Sequence, residues 1–351
     1  MKQFLLLLVT SCCLLPLEAK DDYRYRRITM NDGLTANAVR NIVQDKYGFI
    51  WFGTDNGLCR YDGTRVQPYR ISQLGINQYV SALMVTEEAI YVGTEKGVFC
   101  LSYTTQQFSR LPMDIQSVVT HLSIDKEGNL WVSTMEDGVW RYGLKSGQPK
   151  QYKLDTEYNA VAEVFVDHSN QIWTITNWGG PAIRRLNRLH NRFEPVNIVY
   201  AGNAGGLRML QTHDGRIWIG SWEDGLLLMN DDGRLEQVLS PSLTQAGRHI
   251  HTLYERDENC ICIGCDDGVI CFNPKTCEWK RLFDDLQIPQ NKQSDRFVYA
   301  VTADTEGGLW VGTFYGGVHY ISPVDKRFEA FTIENGLRGN VISRLCEDKH
   351  G

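Results

Sequence analysis

Short apolar segments alternate with polar turns along almost the whole chain. In the first clear unit, apolar residues recur through residues 37–45, and an Asp-x-x-Gly turn follows. Further apolar segments occupy residues 49–54, 58–62 and 66–70, with an Asp-Asn-Gly turn between the first two. Asp, Asn and Gly accept the backbone conformations of tight hairpin turns. The pattern predicts four short antiparallel strands and no amphipathic helix in this unit.

The second of these strands belongs to a phrase that recurs seven times, close to Trp-Val-Gly-Thr and followed by a further glycine. The residues at its tryptophan position are Trp51, Tyr91, Trp131, Trp173, Trp218, Cys262 and Trp310. Successive copies lie 40 to 48 residues apart, and a four-stranded propeller blade needs about 40 to 50 residues. The sequence therefore predicts an all-β fold, a seven-bladed β-propeller of four-stranded blades. We expect the tryptophans to pack between blades, and the glycine to allow a close backbone approach or a kink.

Both ends of the chain carry repeat-like segments. Residues 23–30, followed by Asn-Asp-Gly-Leu, resemble residues 327–333, followed by Glu-Asn-Gly-Leu. We therefore expect residues 23–30 to form an outer strand that completes blade seven and closes the ring. Residues 334–351 copy the start of a unit and stop at its first turn, so we interpret them as the start of a further, truncated repeat. The predicted propeller then spans residues 20–333.

The first 19 residues have the layout of a secretory signal peptide, with a basic start, an apolar run and a small residue at Ala19. A lipoprotein signal at Cys12 is the alternative. We therefore expect a periplasmic protein. The net charge of −6 argues against nucleic acid as a partner. No later apolar run reaches the length of a membrane span, about 18 residues. We therefore expect membrane attachment only through parts beyond this sequence.

Residues 31–63, NDGLTANAVRNIVQDKYGFIWFGTDNGLCRYDG, resemble the two-component regulator propeller repeat in the turn, the tryptophan strand and the following glycine. The resemblance covers about residues 23–351, and units two and six depart from it at the tryptophan position. It implies the periplasmic sensor region of a hybrid two-component system, and a receptor for a glycan-derived signal. In that family two propellers usually precede a β-sandwich, a membrane span and a histidine kinase. No kinase, receiver or DNA-binding motif occurs in this sequence, so a phosphorelay would belong to a longer protein.

Aromatic residues occupy three of the turns between second and third strands, where other units carry polar residues. They are Trp178, Trp222, and Phe314 with Tyr315. Antiparallel order places these turns on one face with the connections between blades, and variable loops commonly carry function. Because exposed aromatic rings stack on the apolar faces of sugars, these residues are candidate ligands of an oligosaccharide. The alternative is that they cover loop backbone or form a domain contact.

Aligned first strands place two residues of each unit near the central channel. The set at the strand entry is Asn37, Gln78, Ser117, Asn159, Gly205, Arg248 and Arg296. The set three positions later is Arg40, Ser81, Thr120, Ala162, Arg208, His251 and Tyr299. Arg208, Arg248 and Arg296, with His251 nearby, form a predicted basic cluster that could bind an acidic oligosaccharide, since arginine binds carboxylates and sulfates in a bidentate manner. Salt bridges within the channel are the alternative.

The cysteines concentrate in unit six, at Cys260, Cys262, Cys265, Cys271 and Cys277. Cys262 and Cys265 replace the Trp and Thr of the repeated phrase, so we interpret the group as small apolar side chains rather than a zinc site. A disulfide within this blade stays open.

The sequence offers little that predicts catalysis. It contains no Gly-x-Ser-x-Gly, His-Glu-x-x-His or phosphate-loop motif. The recurring carboxylates Asp45, Asp125, Asp214 and Asp304 are assigned to the repeated turn, where Asp caps its own backbone. We therefore predict a binding protein with no cofactor and no metal. A propeller lyase or hydrolase, and a structural or partner-binding propeller, are the alternatives, and homodimerisation is left open.

Overall fold

The computed structural model describes residues 25–69, 79–154, 159–176, 182–202, 205–230, 233–240, 249–282 and 296–323. Residues 24–323 form one compact unit. The expected signal peptide, residues 1–19, and the expected further repeat, residues 334–351, lie outside the described residues.

The described elements are short strands and one 3-10 turn, η1 (Met30–Asp32). The N-terminal strand and the strands of blades one to four are β1 (Tyr25–Ile28), β2 (Val39–Gln44), β3 (Ile50–Thr54), β4 (Gly57–Tyr61), β5 (Val66–Tyr69), β6 (Val80–Val85), β7 (Ala89–Thr94), β8 (Gly97–Ser102), β9 (Phe108–Arg110), β10 (Val119–Ile124), β11 (Asn129–Thr134), β12 (Val139–Gly143), β13 (Pro149–Tyr152), β14 (Glu163–Val166), β15 (Ile172–Ile175), β16 (Ile183–Asn187) and β17 (Arg192–Pro195). The strands of blades five to seven are β18 (Gly206–Gln211), β19 (Ile217–Ser221), β20 (Leu226–Met229), β21 (Leu235–Leu239), β22 (Ile250–Asp257), β23 (Cys260–Cys265), β24 (Gly268–Phe272), β25 (Trp279–Arg281), β26 (Val298–Ala303), β27 (Leu309–Thr313) and β28 (Val318–Ile321).

Seven four-stranded antiparallel sheets form seven blades, which confirms the predicted all-β propeller. Blades one to six pair their strands in chain order, as in β2-β3-β4-β5. Blade seven pairs β26, β27 and β28 with β1, in a register from Tyr25↔Ile321 to Ile28↔Val318. The predicted closure by the N-terminal strand is therefore confirmed. Each first strand contacts the first strands of both neighbouring blades, and β2 contacts β26, so the first strands surround a central channel.

The tryptophans of the repeated phrase pack between adjacent blades, as predicted. Trp51 shares an apolar cluster with Val80 and Ile90 of blade two, and the Trp310 ring lies 5.9 Å from the Phe52 ring of blade one. In four blades the indole N–H also donates to an Asp of the preceding turn at 2.8 Å. These pairs are Trp51–Asp45, Trp131–Asp125, Trp173–Asp167 and Trp310–Asp304. Each Asp also accepts backbone N–H groups, so one carboxylate ties the turn to the core.

Two of these turns differ from what the sequence alignment suggests. In blade five the Trp218 indole donates to Thr212 at 3.2 Å, so the assignment of Asp214 to this position is wrong. Asp214 instead accepts a hydrogen bond from Arg216. In blade four Asp167 occupies the position of the turn Asp and accepts the hydrogen bond of the Trp173 indole. There Asn170, with φ of 67°, takes the left-handed conformation that glycine takes in the equivalent turns, and the missing glycine hid this turn in the sequence.

The glycine of the repeated phrase makes room for the first strand of the next blade. A Cβ on Gly53 would lie 2.8 Å from a methyl group of Val80, and one on Gly220 would lie 2.5 Å from a methyl group of Ile250. Because Val80 and Ile250 begin the following first strands, glycine sets the spacing between these blades. The expected close approach is confirmed, and at Gly53 and Gly220 it is a side chain of the next blade that approaches.

Candidate functional site

A cavity of about 210 Å³ opens at one end of the central channel. Every blade contributes to its wall a residue of its first strand or of the position just before it, and these include Arg40, Ser81, Thr120, Ala162, Arg208, His251 and Tyr299. They are the second aligned set, so the prediction that this set lies at the channel is confirmed. Met135 and Trp222, which follow second strands, also line the cavity. This channel-mouth cavity therefore lies on the face that carries the turns between second and third strands.

Aromatic and histidine rings form a continuous arc along one side of the cavity. The Trp222 ring stacks on His249, with centroids 4.0 Å apart, and the His251 ring stacks on Tyr299 at 4.3 Å. Trp222 and His251 meet at 5.9 Å in an edge-to-face contact that joins the two stacks. We call Trp222, His249, His251 and Tyr299 the ring arc. Rings that support one another in this way keep a fixed orientation and offer apolar surface to a ligand.

A single carboxylate anchors both histidines of the ring arc. Asp266, which follows β23, accepts hydrogen bonds from His251 Nε2 at 2.7 Å and from His249 Nδ1. Burial would raise the pKa of Asp266, but its hydrogen bonds to the two histidines outweigh burial and lower it. Burial also lowers the pKa of His251, against the opposing effect of Asp266. A neutral His251 ring therefore faces an ionised carboxylate at neutral pH.

Two arginines border the cavity beside the ring arc. The Arg40 guanidinium carbon lies 4.5 Å from the Tyr299 ring centroid and 4.6 Å from that of Phe314, within cation–π range. Its Nε donates to Asp55 at 2.8 Å, which fixes its orientation. Arg208 Nη1 donates to the carbonyl of its own neighbour, Leu207, at 2.7 Å. Positive charge thus lies next to the rings on the cavity wall.

A buried carboxyl group adjoins the channel wall at Arg208. Glu163 of β14 accepts a hydrogen bond from the Met209 N–H at 2.5 Å and lies 3.4 Å from His121 Nε2. Burial raises the pKa of Glu163 to about 7, although Arg208 and the Met209 hydrogen bond act in the opposite direction. Burial and the charge of Arg208 lower the pKa of His121. Between about pH 3 and about pH 7 the Glu163–His121 contact therefore joins two neutral groups, since these values are the pKa of His121 and of Glu163.

Half of the eight candidate ligands lie at or beside the cavity. Trp222, Arg208 and His251 line it. Phe314 adjoins it, because its ring centroid lies 5.5 Å from that of Tyr299. The structure thus brings together aromatic and basic residues that the sequence suggested as two separate sets.

The remaining candidates lie elsewhere or outside the described residues. Tyr315 lies further out, with 52% of its surface exposed. Arg296 donates to Asp267 at 3.0 Å and does not line the cavity. It therefore does not join the expected basic cluster and follows the alternative of a salt bridge. Trp178 and Arg248 lie outside the described residues.

The candidate ligands did not include four residues that contribute rings or charge to this site, namely Arg40, Tyr299, His249 and Asp266. Arg40 and Tyr299 belong to the aligned channel set, so the alignment alone could have identified them. His249 and Asp266 lie outside that set. Their roles arise from the stacking of His249 on Trp222 of blade five and from hydrogen bonding within blade six.

Residues 33–56 and 292–315 match the family model of the two component regulator propeller. The resemblance seen in the sequence is therefore confirmed for these two segments, which are repeats of that kind. A comparison with curated proteins gives no match. In the described part of the chain, no helix has the length and apolar character needed to cross a membrane.

Several solved structures share the fold. The extracellular domain of a proposed hybrid two component system, BT3049 from B. thetaiotaomicron, is 23% identical with a TM-score of 0.71, over 94% of this chain and 46% of that one. The extracellular domain of a proposed one component system of the same organism, BT4673, is 21% identical with a TM-score of 0.72, over 84% and 39%. Streptogramin B lyase is 14% identical with a TM-score of 0.69, over 87% and 99%. The chain thus spans less than half of the two extracellular domains, and at these identities the likeness establishes the fold alone.

Proposed function

We propose that this chain is a ligand-sensing propeller of a two-component type receptor, and that it binds a glycan-derived oligosaccharide without changing it. The channel-mouth cavity carries the proposal, because the ring arc and two guanidinium groups meet there. Sugar rings present apolar C–H faces that stack on aromatic rings, and their hydroxyl and acidic groups pair with arginine. The two component regulator propeller repeats support a sensing role.

The size of the cavity favours one end of an oligosaccharide. About 210 Å³ is less than the roughly 300–1,000 Å³ of most small-molecule pockets. One terminal sugar unit would enter the cavity, and the following units would lie across the exposed rim near Tyr315. An acidic sugar fits best, because its carboxylate or sulfate would complement the charge of Arg208. Arg40 is the weaker candidate for that contact, since Asp55 already holds it.

Binding without turnover fits the arrangement of ionisable groups better than catalysis does. Asp266 is held by two histidines and Arg40 by Asp55, so these groups satisfy one another. Glu163 has a pKa of about 7, which would suit a general base, but it does not line the cavity. A lyase or hydrolase is the second candidate, because streptogramin B lyase has the same fold.

Signalling would require more than this chain. The bound oligosaccharide would favour one arrangement of receptor domains or subunits, including a homodimer. The protein would act in the periplasm, and membrane attachment and the kinase would come from other parts of a longer receptor. The extracellular domains of similar fold are more than twice as long as the matched region, which is consistent with such a receptor.

Thermal unfolding of the purified protein with plant, host and microbial oligosaccharides tests the proposal. A ligand of the folded state raises the unfolding temperature by mass action. A shift with one glycan family, without product formation, is the expected result. Release of shorter products would establish the enzyme alternative. A cooperative transition that no glycan shifts would favour a structural or partner-binding propeller.

Trp222→Ala then tests the position of the site. Loss of the stacking surface should weaken binding of the responding oligosaccharide about tenfold or more, with the protein still folded. Trp279→Ala is the matched control, because Trp279 is partly exposed on β25 and does not line the cavity. Titration calorimetry would measure both affinities. If Trp222→Ala binds as the unaltered protein does, Trp222 does not belong to the site.

A further inference from the structure

Three cysteine side chains of blade six converge on one point. Cys260 and Cys262 lie two residues apart on β23, so their side chains leave the same face of the strand. Cys271 of β24 is the register partner of Cys262 on the neighbouring strand. The three sulfur atoms all lie within 4.8 Å of one another, and those of Cys260 and Cys262 are 3.9 Å apart. Strand register therefore assembles a three-thiol cluster, although each cysteine alone resembles a filler of the core.

The spacing of these sulfurs suits a metal ion. Metal–thiolate bonds of about 2.3 Å place the sulfurs of a trigonal site about 4.0 Å apart. The 3.9 Å between Cys260 and Cys262 already matches that value. The remaining separations, at most 4.8 Å, need only side-chain adjustments. Among the described residues, no histidine, carboxylate or fourth cysteine completes the group, which favours an ion that accepts three ligands.

The surroundings of the cluster provide access and compensating charge. A cavity of about 510 Å³ is lined by Cys260 and Cys271, so an ion can reach both sulfurs from solvent. Lys280, the register partner of Cys271, lines the same cavity. Arg256 lies at the register shift of β22, beside Asp257, which is the register partner of Cys260. The positive charge of Arg256 acts on the Cys260 sulfur. Lys280 and Arg256 thus offer positive charge to a cluster that becomes negative when its thiols bind a metal, although the carboxyl groups of Asp257 and Glu278 lie nearby.

We propose that Cys260, Cys262 and Cys271 bind one thiophilic metal ion of the Cu(I) type through three thiolates. Soft thiolate sulfur selects soft ions of this kind over hard cations. Each thiol loses its proton to solvent as its sulfur binds, and neither the metal nor the sulfur changes oxidation state. The site is separate from the channel-mouth cavity and does not depend on the oligosaccharide proposal.

Anaerobic titration of the reduced protein with Cu(I), against a competing chelator, tests this site. We expect the ultraviolet thiolate-to-copper absorption to saturate at one equivalent. Cys260→Ser should weaken binding at least tenfold, and Cys260→Ala serves the same purpose if the serine variant does not fold. Cys277→Ser is the matched control, because Cys277 is an exposed free thiol of the same blade. It should leave the titration unchanged.

Three results would overturn the proposal. The first is the absence of saturation at one equivalent. The second is equal binding by Cys260→Ser and the unaltered protein. The third is a disulfide of Cys260 with Cys262 or Cys271 in protein isolated without reductant, since oxidised sulfurs cannot be the ligands. A parallel titration with Zn²⁺ tests the class of metal, and tighter binding of Zn²⁺ than of Cu(I) would overturn the Cu(I) assignment.

Discussion

The buried carboxyl group of Glu163 should make the propeller less stable as the pH rises. Burial raises its pKa from the ordinary 4.5 to about 7 in the folded protein. Between these values the folded protein keeps a proton that the unfolded chain releases. The free energy of unfolding therefore falls from about pH 4.5 to about pH 7 and levels off above that. The difference in pKa corresponds to a loss of about 3 kcal/mol at most.

Glu163→Gln removes this titration and keeps an oxygen that can accept the Met209 N–H. The two proteins should be about equally stable near pH 5, and the variant should be more stable by about 1–3 kcal/mol near pH 8. Urea denaturation at a series of pH values measures the difference. Both proteins keep the facing groups His121 and Arg208, and the effect of Arg208 on Glu163 is already contained in the pKa of about 7.

Glu127→Gln is the matched control for this experiment. The Glu127 side chain is 53% exposed and pairs with Arg188 at the surface, so its replacement should give a profile parallel to that of the unaltered protein. The reasoning is refuted if Glu163→Gln also gives a parallel profile, because Glu163 would then hold no extra proton in the folded state.

Urea denaturation also tests two features that recur in the blades, the turn Asp and the glycine of the repeated phrase. Asp125→Ala should cost about 2–4 kcal/mol, because the buried Trp131 indole and two turn N–H groups lose their acceptor. Asp125→Thr, which copies the residue of blade five, should cost less, and equal losses would contradict the role given to the side-chain oxygen. Gly53→Ala should cost about 1–3 kcal/mol, because its Cβ would overlap Val80. Adding Val80→Ala should cost at least about 1 kcal/mol less than the sum of the single changes, and strict additivity would show that glycine does not set the blade spacing.

Periodicity explains why the architecture could be predicted from the sequence. Tight turns, a buried aromatic and a close-packed glycine are needed in most blades, so one alignment reveals all three. The closing strand was predictable for the same reason, since residues 23–30 copy an outer strand. The prediction was wrong where a different residue type serves the same structural role. Asn170 reaches the left-handed conformation without being glycine, and Thr212 accepts the indole hydrogen bond without being Asp.

The candidate site was less predictable, because facing the channel and being free to bind are different properties. Alignment reports the first property, and all seven residues of the second set do line the cavity. Alignment does not show which of these side chains already form hydrogen bonds or salt bridges with neighbouring residues. Arg208 and Arg296 were both expected in the basic cluster, yet Arg296 pairs with Asp267 and does not line the cavity. Such pairings depend on individual loops, which share no period.

The residues of the second aligned set differ between blades, and this difference gives the cavity two unlike sides. Blades two to four place small side chains in the second aligned set, namely Ser81, Thr120 and Ala162. Blades five, six, seven and one place large polar or aromatic ones there, namely Arg208, His251, Tyr299 and Arg40. Seven equal side chains would give the channel a sevenfold symmetry that no oligosaccharide has. Under the function proposed above, the small residues on one side would leave room for a ligand, and the stacked rings on the other side would orient it. The residues that break the repeat would then be those that suit the site for binding.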